Sequence, residues 1–178
     1  TTGTLNTLIG GLAGDALTTG DSNVAIGHTA LGQETRGDRN VAVGAYALQV
    51  SNTTTDTDTY NTAVGYNAGG TLLTGTLNTF IGVLAGDATT HAGSNVAVGY
   101  LALSDNSTGA NNTAVGTSAL ENNTTASNNI AFGMSALYAN TTGTANTALG
   151  RQALAANTSA NYNTAVGYQS AYGTTTGA

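Results

Sequence analysis

The pattern Asn-x-x-[Val/Ile/Leu/Phe]-Gly occurs ten times in this chain, and successive copies almost always follow each other at the spacing that separates Asn95 from Asn112. The one longer step lies between Asn40 and Asn61, and its four extra residues fall within Thr53–Thr59. A fixed period this short predicts a solenoid, in which each repeat is one coil stacked on its neighbours. The function is then expected to be a property of the whole stack. The ten asparagines are Asn6, Asn23, Asn40, Asn61, Asn78, Asn95, Asn112, Asn129, Asn146 and Asn163.

The composition narrows the class of protein. Only 7% of residues are charged, but 40% are hydrophobic and recur at fixed positions, which argues against disorder. The net charge is −6, and three basic residues cannot form the stripe that a nucleic-acid binder needs. No apolar run reaches the roughly 18–20 residues that cross a bilayer, so we expect no membrane insertion by this segment. There is no cysteine for disulfides or thiol chemistry.

Each coil is described by counting its Asn as position zero. Side chains alternate across a strand, so positions one and three share a face and position two points the other way. Position three is always apolar and mostly β-branched, which predicts that this column fills the coil interior. Position two is Ala in eight coils, the exceptions being Leu8 and Phe80. We interpret these small residues as a contact with another chain.

The rest of the coil divides into an apolar and a polar part. A second Ala column lies at position seven, usually followed by Leu; where the next residue is Gly14 or Gly86, Leu12 or Leu84 stands two residues earlier. Eleven of the twelve charged residues lie between this apolar segment and the next Asn, with Arg151 the exception. We therefore expect residues such as Asn106 and Thr125 to face solvent. Apolar period two and frequent Gly argue against helix.

The Asn and Gly columns predict structural roles. Gly at position four suits a turn with positive φ or a close approach of two backbones. Asn at position zero suits an amide ladder along the stack or an Asx-turn. The representative repeat residues are Asn23, Gly27, Asn95, Gly99, Asn112 and Gly116.

The core of a lone coil is thin. Three or four sizeable apolar side chains contribute about 1.5–3 kcal/mol each, against roughly 1–2 kcal/mol of backbone entropy per ordered residue. Association would bury more, and threefold symmetry is a natural closed arrangement of rolls around an axis.

Two segments resemble a known family. Asn23–Gly27 and Asn95–Gly99 are similar to the head repeat of trimeric autotransporter adhesins, and Asn163–Gln169 is similar to the related repeats of phage tail fibres. The resemblance implies an all-β, left-handed parallel β-roll of about ten coils, assembled as a homotrimer in an extracellular, cell-surface or virion-surface fibre. It implies a non-enzymatic structural or adhesive role without cofactors, with a host-surface protein or glycan as partner. Bacterial adhesin and phage fibre both remain open.

The chain begins and ends in mid-repeat. We therefore expect residues 1–178 to be one repeat array excerpted from a longer fibre protein, since no polar cap protects either end.

Several side chains are candidates for contacts or chemistry. Tyr66, Tyr100 and Tyr168 share position five, where an exposed aromatic side chain could stack on a sugar or dock a partner. Asp56 and Asp58, in the long coil, could hold a cation through carboxylate oxygens. His28 and His91 occupy different positions in the repeat, which favours surface residues over a metal pair, so no metal site is predicted.

Two other functions are alternatives. Thr at position one of six coils suggests an ice-binding solenoid, although this column shares the face that we expect to be buried. A carbohydrate-active β-solenoid would need paired carboxylates about 5–9.5 Å apart around a cleft, and the sequence marks no cleft.

Overall fold

The computed structural model describes residues 2–175, and in that range the chain is an all-β parallel solenoid of about nine turns. Each coil contributes one three-residue strand to a ten-stranded sheet, and every neighbouring pair is parallel. The register is one repeat per step, so Val96 pairs with Thr113 and Ala97 with Ala114. The predicted solenoid is confirmed. The strands are β1 (Thr7–Ile9), β2 (Val24–Ile26), β3 (Gly37–Asp38), β4 (Val41–Val43), β5 (Thr57–Asp58), β6 (Thr62–Val64), β7 (Thr79–Ile81), β8 (Val96–Val98), β9 (Thr113–Val115), β10 (Ile130–Phe132), β11 (Thr147–Leu149) and β12 (Thr164–Val166).

The two faces of the sheet are the reverse of the prediction. The position-two residues are the buried ones in every coil except the first, where Leu8 is exposed: Ala97 and Ala114, for example, are fully inaccessible. The position-three residues lie outside, with Phe132 55% and Val166 68% exposed. The predictions that position three is interior and that the Ala face contacts another chain are therefore wrong. The physical reason is space, because the opposite wall of this narrow coil already fills the interior with Ala and Leu.

Large interior side chains are compensated within the stack. Phe80 at position two lies between Gly69 and Gly86; a Cβ on those glycines would be 2.7 Å and 2.5 Å from its ring. Leu8 also lies against the glycine at position eight, Gly14, although Leu8 is 43% exposed in the first coil. Leu12 is 55% exposed and Leu84 only half-buried, so our expectation that they replace the missing position-eight Leu is wrong. Extra volume at position two is matched by lost volume at position eight.

The polar part of the coil also contributes to the interior. Position eleven points inward in every complete coil, and the prediction that this part faces solvent is wrong for Asn106 and Glu34, which are fully buried. Thr125 is exposed as expected. The inward column consists of Leu17, Glu34, Ser51, Leu72, Thr89, Asn106, Asn123, Asn140 and Asn157.

Two ladders of asparagine side chains run along the stack. At position zero, the backbone N–H of Asn112 donates to Oδ1 of Asn95 at 2.9 Å, and Asn112 Nδ2 donates to the carbonyl of Ala126 at 2.9 Å. At position eleven, Asn123 Nδ2 donates to Asn106 Oδ1 at 2.9 Å, and Asn140 repeats the contact at 3.0 Å. These bonds satisfy polar groups that the coil buries, which is a requirement for a stable interior.

Two features of the backbone require Gly at position four. Gly116 has φ +128°, and a Cβ there would lie 2.7 Å from the carbonyl carbon of Gly133 in the next coil. Both the positive φ and the close backbone approach exclude a side chain.

The long coil keeps the stack continuous. Asn61 is buried and donates its backbone N–H to Asn40 Oδ1 at 3.1 Å, and Val41 pairs with Thr62. Thr53 and Thr59 are buried at the two ends of the insertion, while the residues between them lie mostly at the surface, where β3 and β5 form a small parallel sheet. The prediction of a bulge without a break in the stack is confirmed.

Candidate functional site

The most prominent surface is the outer side of the ten-stranded sheet. We call it the strand face and define it as the side chains at positions one and three of the ten coils. All twenty are Val, Ile, Leu, Phe or Thr, so the face carries no charge. Strand spacing makes it roughly 45 Å long. Its most exposed apolar members include Ile9 at 58%, Phe132 at 55% and Val166 at 68%.

The strand face is regular because the register places like residues above one another. Thr62 pairs with Thr79 and Thr147 with Thr164, while Val64 and Ile81 are aligned in the neighbouring column. Sequence analysis identified both columns but placed them inside the coil.

The three predicted contact tyrosines are exposed but separate. Tyr66, Tyr100 and Tyr168 are 52%, 51% and 64% exposed. Tyr66 instead packs edge-to-face against Tyr46 with ring centroids 5.6 Å apart, and Tyr46 packs similarly against His28 at 5.4 Å.

A surface groove lies near the C-terminal end of the described stack. Its volume is about 400 Å³, and it is lined by residues of three successive coils. Tyr138 and Tyr172 share position nine, with Ala155 at the same position in the coil between them. Ser135 and Gln152 contribute polar groups to it. Sequence analysis missed this groove, although a Tyr-Ala-Tyr series at one repeat position was a readable signal.

The proposed cation ligands in the long coil have other partners. Asp58 forms an ion pair with Arg39 and accepts a hydrogen bond from the Tyr60 hydroxyl at 2.9 Å. Asp56 accepts a hydrogen bond from the Thr19 hydroxyl. Over residues 2–175, no three His, Cys, Asp or Glu side chains gather in a group that could hold a metal ion.

The two histidines also contact different residues. His28 Nδ1 lies 2.9 Å from the Thr29 hydroxyl, and His91 Nδ1 lies 3.1 Å from the Thr90 hydroxyl.

Two carboxylates have perturbed pKa values. Burial raises the pKa of Asp87 to about 6, and the neighbouring carboxylate of Asp105 adds to the increase. Burial would also raise the pKa of Glu34, but hydrogen bonds from Ser51, Gly37 and Thr53 outweigh it and hold that pKa below its ordinary value. Neither carboxylate lines the groove described above.

Comparison with models of known protein families, with curated proteins and with solved structures finds no match for this chain. In the described part of the chain, no helix is long and apolar enough to cross a membrane.

Proposed function

We propose that this chain is a structural and adhesive segment of a homotrimeric surface fibre of the adhesin-head or tail-fibre type, in which three strand faces pack around a common axis. The observation that carries the proposal is the strand face itself, which is uncharged, mostly apolar with a column of threonines, and half-exposed to exposed along the described stack.

The size of the strand face supports association. A three-residue strand is about 10 Å wide, so ten strands present roughly 450 Å² of projected area. An area of this size is within the roughly 300–600 Å² of the largest apolar patch on a typical monomer, and such patches are often functional. The interior of the coil argues the same way, because it consists largely of Ala and hydrogen-bonded Asn with few large apolar side chains. Burial of the strand face would add the apolar area that the interior lacks.

Identical copies fit the strand face best. Parallel stacking gives each copy the same rise per coil, so aligned copies match column to column along the full length. A closed threefold arrangement buries all three faces at once, whereas an open arrangement would leave an apolar face exposed. The resemblance of Asn95–Gly99 to the adhesin head repeat supports three copies.

The test is molar mass in solution by light scattering. We expect the wild type to have three times the 17.5 kDa chain mass. Val98→Glu with Val115→Glu places charges on adjacent strands of the strand face, and should give monomers because charges brought together without partners are costly. Thr125→Glu, on the exposed outer turn, is the matched control and should leave the trimer intact. A wild type that keeps the mass of a single chain would contradict the proposal.

The Ala column at position two lies inside the coil, so a charge placed there tests folding and not association. Ala97→Glu and Ala114→Glu would now bury charge inside the coil. We expect loss of folding, seen by circular dichroism, in place of separation into folded monomers. Asn106 is unsuitable as a control position, because it is fully buried.

Ice binding is a second candidate for the same face. Thr62, Thr79, Thr113 and their equivalents form a column of hydroxyl and methyl groups on the outer side of a regular sheet, where these three are half-buried. The objection from sequence, that these threonines share a buried face, no longer holds. The two functions require opposite states, since ice binding needs the face free. A monomeric wild type with thermal hysteresis that Thr113→Lys abolishes would favour ice binding.

A further inference from the structure

We propose that the groove between Tyr138 and Tyr172 is a binding site for a neutral pyranose ring of a glycan. The inference supplies a ligand class for the adhesive part of the proposed function and rests on it in that respect. Its physical basis is local to three coils.

The distance between Tyr138 and Tyr172 leaves room for one sugar ring between their side chains. They occupy the same position in coils separated by one intermediate coil, which places their backbones roughly 9–10 Å apart. Aromatic rings contact each other with centroids about 4.5–7 Å apart, so these two are too distant to pack together. A pyranose chair placed midway would lie about 5 Å from each tyrosine, close enough for its C–H groups to contact both rings.

The residue between the tyrosines keeps that space open. Ala155 stands at the same repeat position and lines the groove, and its single methyl group takes up less of the space between the tyrosines than a larger side chain would. The groove has a volume of about 400 Å³, which is within the range of small-molecule sites. Both rings keep an accessible surface, with Tyr138 39% and Tyr172 47% exposed.

The polar groups in the groove fit hydroxyl groups. Gln152 accepts a hydrogen bond from Gln169 Nε2 at 3.0 Å through its side-chain oxygen, which leaves its own amide nitrogen available as a donor. Within the described part of the chain, the Ser135 hydroxyl forms no hydrogen bond, so it can both donate and accept. A pyranose ring offers C–H groups to aromatic faces and hydroxyl groups to such side chains.

The electrostatics favour a neutral ligand. The described residues that line the groove include no acidic or basic side chain. A charged sugar would lose water on entering the groove without gaining an ionic partner.

The experiment is calorimetric and NMR titration of the wild-type protein with three neutral oligosaccharides, maltohexaose, cellohexaose and mannohexaose, and with sialyllactose as a charged comparison. We expect saturable binding of at least one neutral probe, with shifts of the Tyr138 and Tyr172 ring signals. Tyr138→Ala should weaken binding about tenfold, which corresponds to about 1.4 kcal/mol, because it removes one of the two stacking partners. Tyr138→Phe, which keeps the ring, should bind within about twofold of wild type.

Two further variants separate the site from general surface effects. Ala155→Tyr places a third ring between the other two and should abolish binding without removing any contacting group. Tyr100→Ala, at an exposed position outside the groove, is the matched control and should bind like the wild type. No binding of any neutral probe at about 10 mM total ligand, roughly a hundredfold above a Kd of about 100 µM, would overturn the inference. Binding that survives both Tyr138→Ala and Ala155→Tyr would also overturn it.

The oligomer measurement keeps the two proposals distinct. A monomer that binds a neutral sugar through Tyr138 would contradict the trimeric fibre and support the sugar site. A trimer that binds none of the three probes would contradict the sugar site alone.

Discussion

Two carboxylates show how the same side-chain chemistry has opposite consequences at different residues. Glu34 is fully buried and accepts hydrogen bonds from the hydroxyls of Ser51 at 2.7 Å and Thr53 at 2.8 Å. Its lowered pKa means that ionised Glu34 stabilises the fold above about pH 4.5, and that this stabilisation is lost as the pH falls. Asp87 has a buried Oδ1 without a hydrogen-bond partner among the described residues, and Asp105 lies nearby.

We therefore expect that removing the charge of Asp87 stabilises the fold, and that the size of this stabilisation depends on pH. Its folded pKa of about 6 lies above its ordinary value of 3.8, so the protonated form is favoured by folding. That contribution is present below about pH 4 and is lost as the pH rises through 6. We expect Asp87→Asn to raise Tm at pH 8 and to leave it unchanged at pH 3.5, measured by circular dichroism.

A matched control exists for Asp87 at the same repeat position. Asp15 is exposed, so Asp15→Asn should change Tm little at either pH. An equal increase in both variants would attribute the effect to net charge and contradict the local explanation.

At the scale of the single coil, the sizes of the side chains at positions two and eight are related. Most coils combine Ala at position two with Leu at position eight, as in Ala97 and Leu103, both fully buried. The coil of Phe80 has the reverse arrangement, with Gly86 at position eight. Leu is compatible with the backbone there, because Leu103 and Leu120 have φ values of 56° and 52°, close to the 59° of Gly86.

This exchange predicts that one coil can be converted into the other type. Phe80→Ala should lower the free energy of unfolding by about 3–5 kcal/mol, because it leaves a cavity in a packed interior. Adding Gly86→Leu should recover a substantial part of that loss. Gly86→Leu alone should destabilise, since its Cβ would lie 2.5 Å from the Phe80 ring. The measurement is denaturant unfolding of the three variants, and a double variant no more stable than Phe80→Ala would show that the columns do not compensate.

The whole molecule is a one-dimensional array, in which each strand of the main sheet pairs only with the strands of adjacent coils. The stability of such arrays is approximately a sum of repeat and nearest-neighbour terms. The longer coil between Asn40 and Asn61 shows that residues can be added at the outer turn without disturbing the register.

Array behaviour predicts that a large deletion in register is tolerated better than a small one out of register. Excision of one whole repeat, Asn112–Asn128, joins two coils at equivalent positions and should leave a folded solenoid with a similar Tm. Excision of only Asn112–Gly116 removes a strand and its turn and should lower Tm much further. Circular dichroism melting compares the two, and the opposite order would contradict independent stacking of coils.

The sequence alone determined the features that repeat along the chain. The constant spacing of the Asn column predicted the parallel solenoid, the Gly column predicted its tight turns, and the one longer step placed the bulge at Thr53–Thr59. Each depends on one coil and its equivalent neighbour, so the physical requirement recurs in every repeat and is visible as a column.

Only the tertiary structure decided which side of each column is inside. A period of two defines two faces of each strand. Ala114 and Val115 lie on opposite faces and are both apolar, so hydrophobicity does not decide which of them is inside. The limited space between the walls of a closed coil decides it. Asn106 is polar, but it is buried because stacking supplies a hydrogen-bonding partner from Asn123. Tyr138 and Tyr172 form a groove for the same reason, since residues two repeats apart in the chain become neighbours only after their coils have stacked.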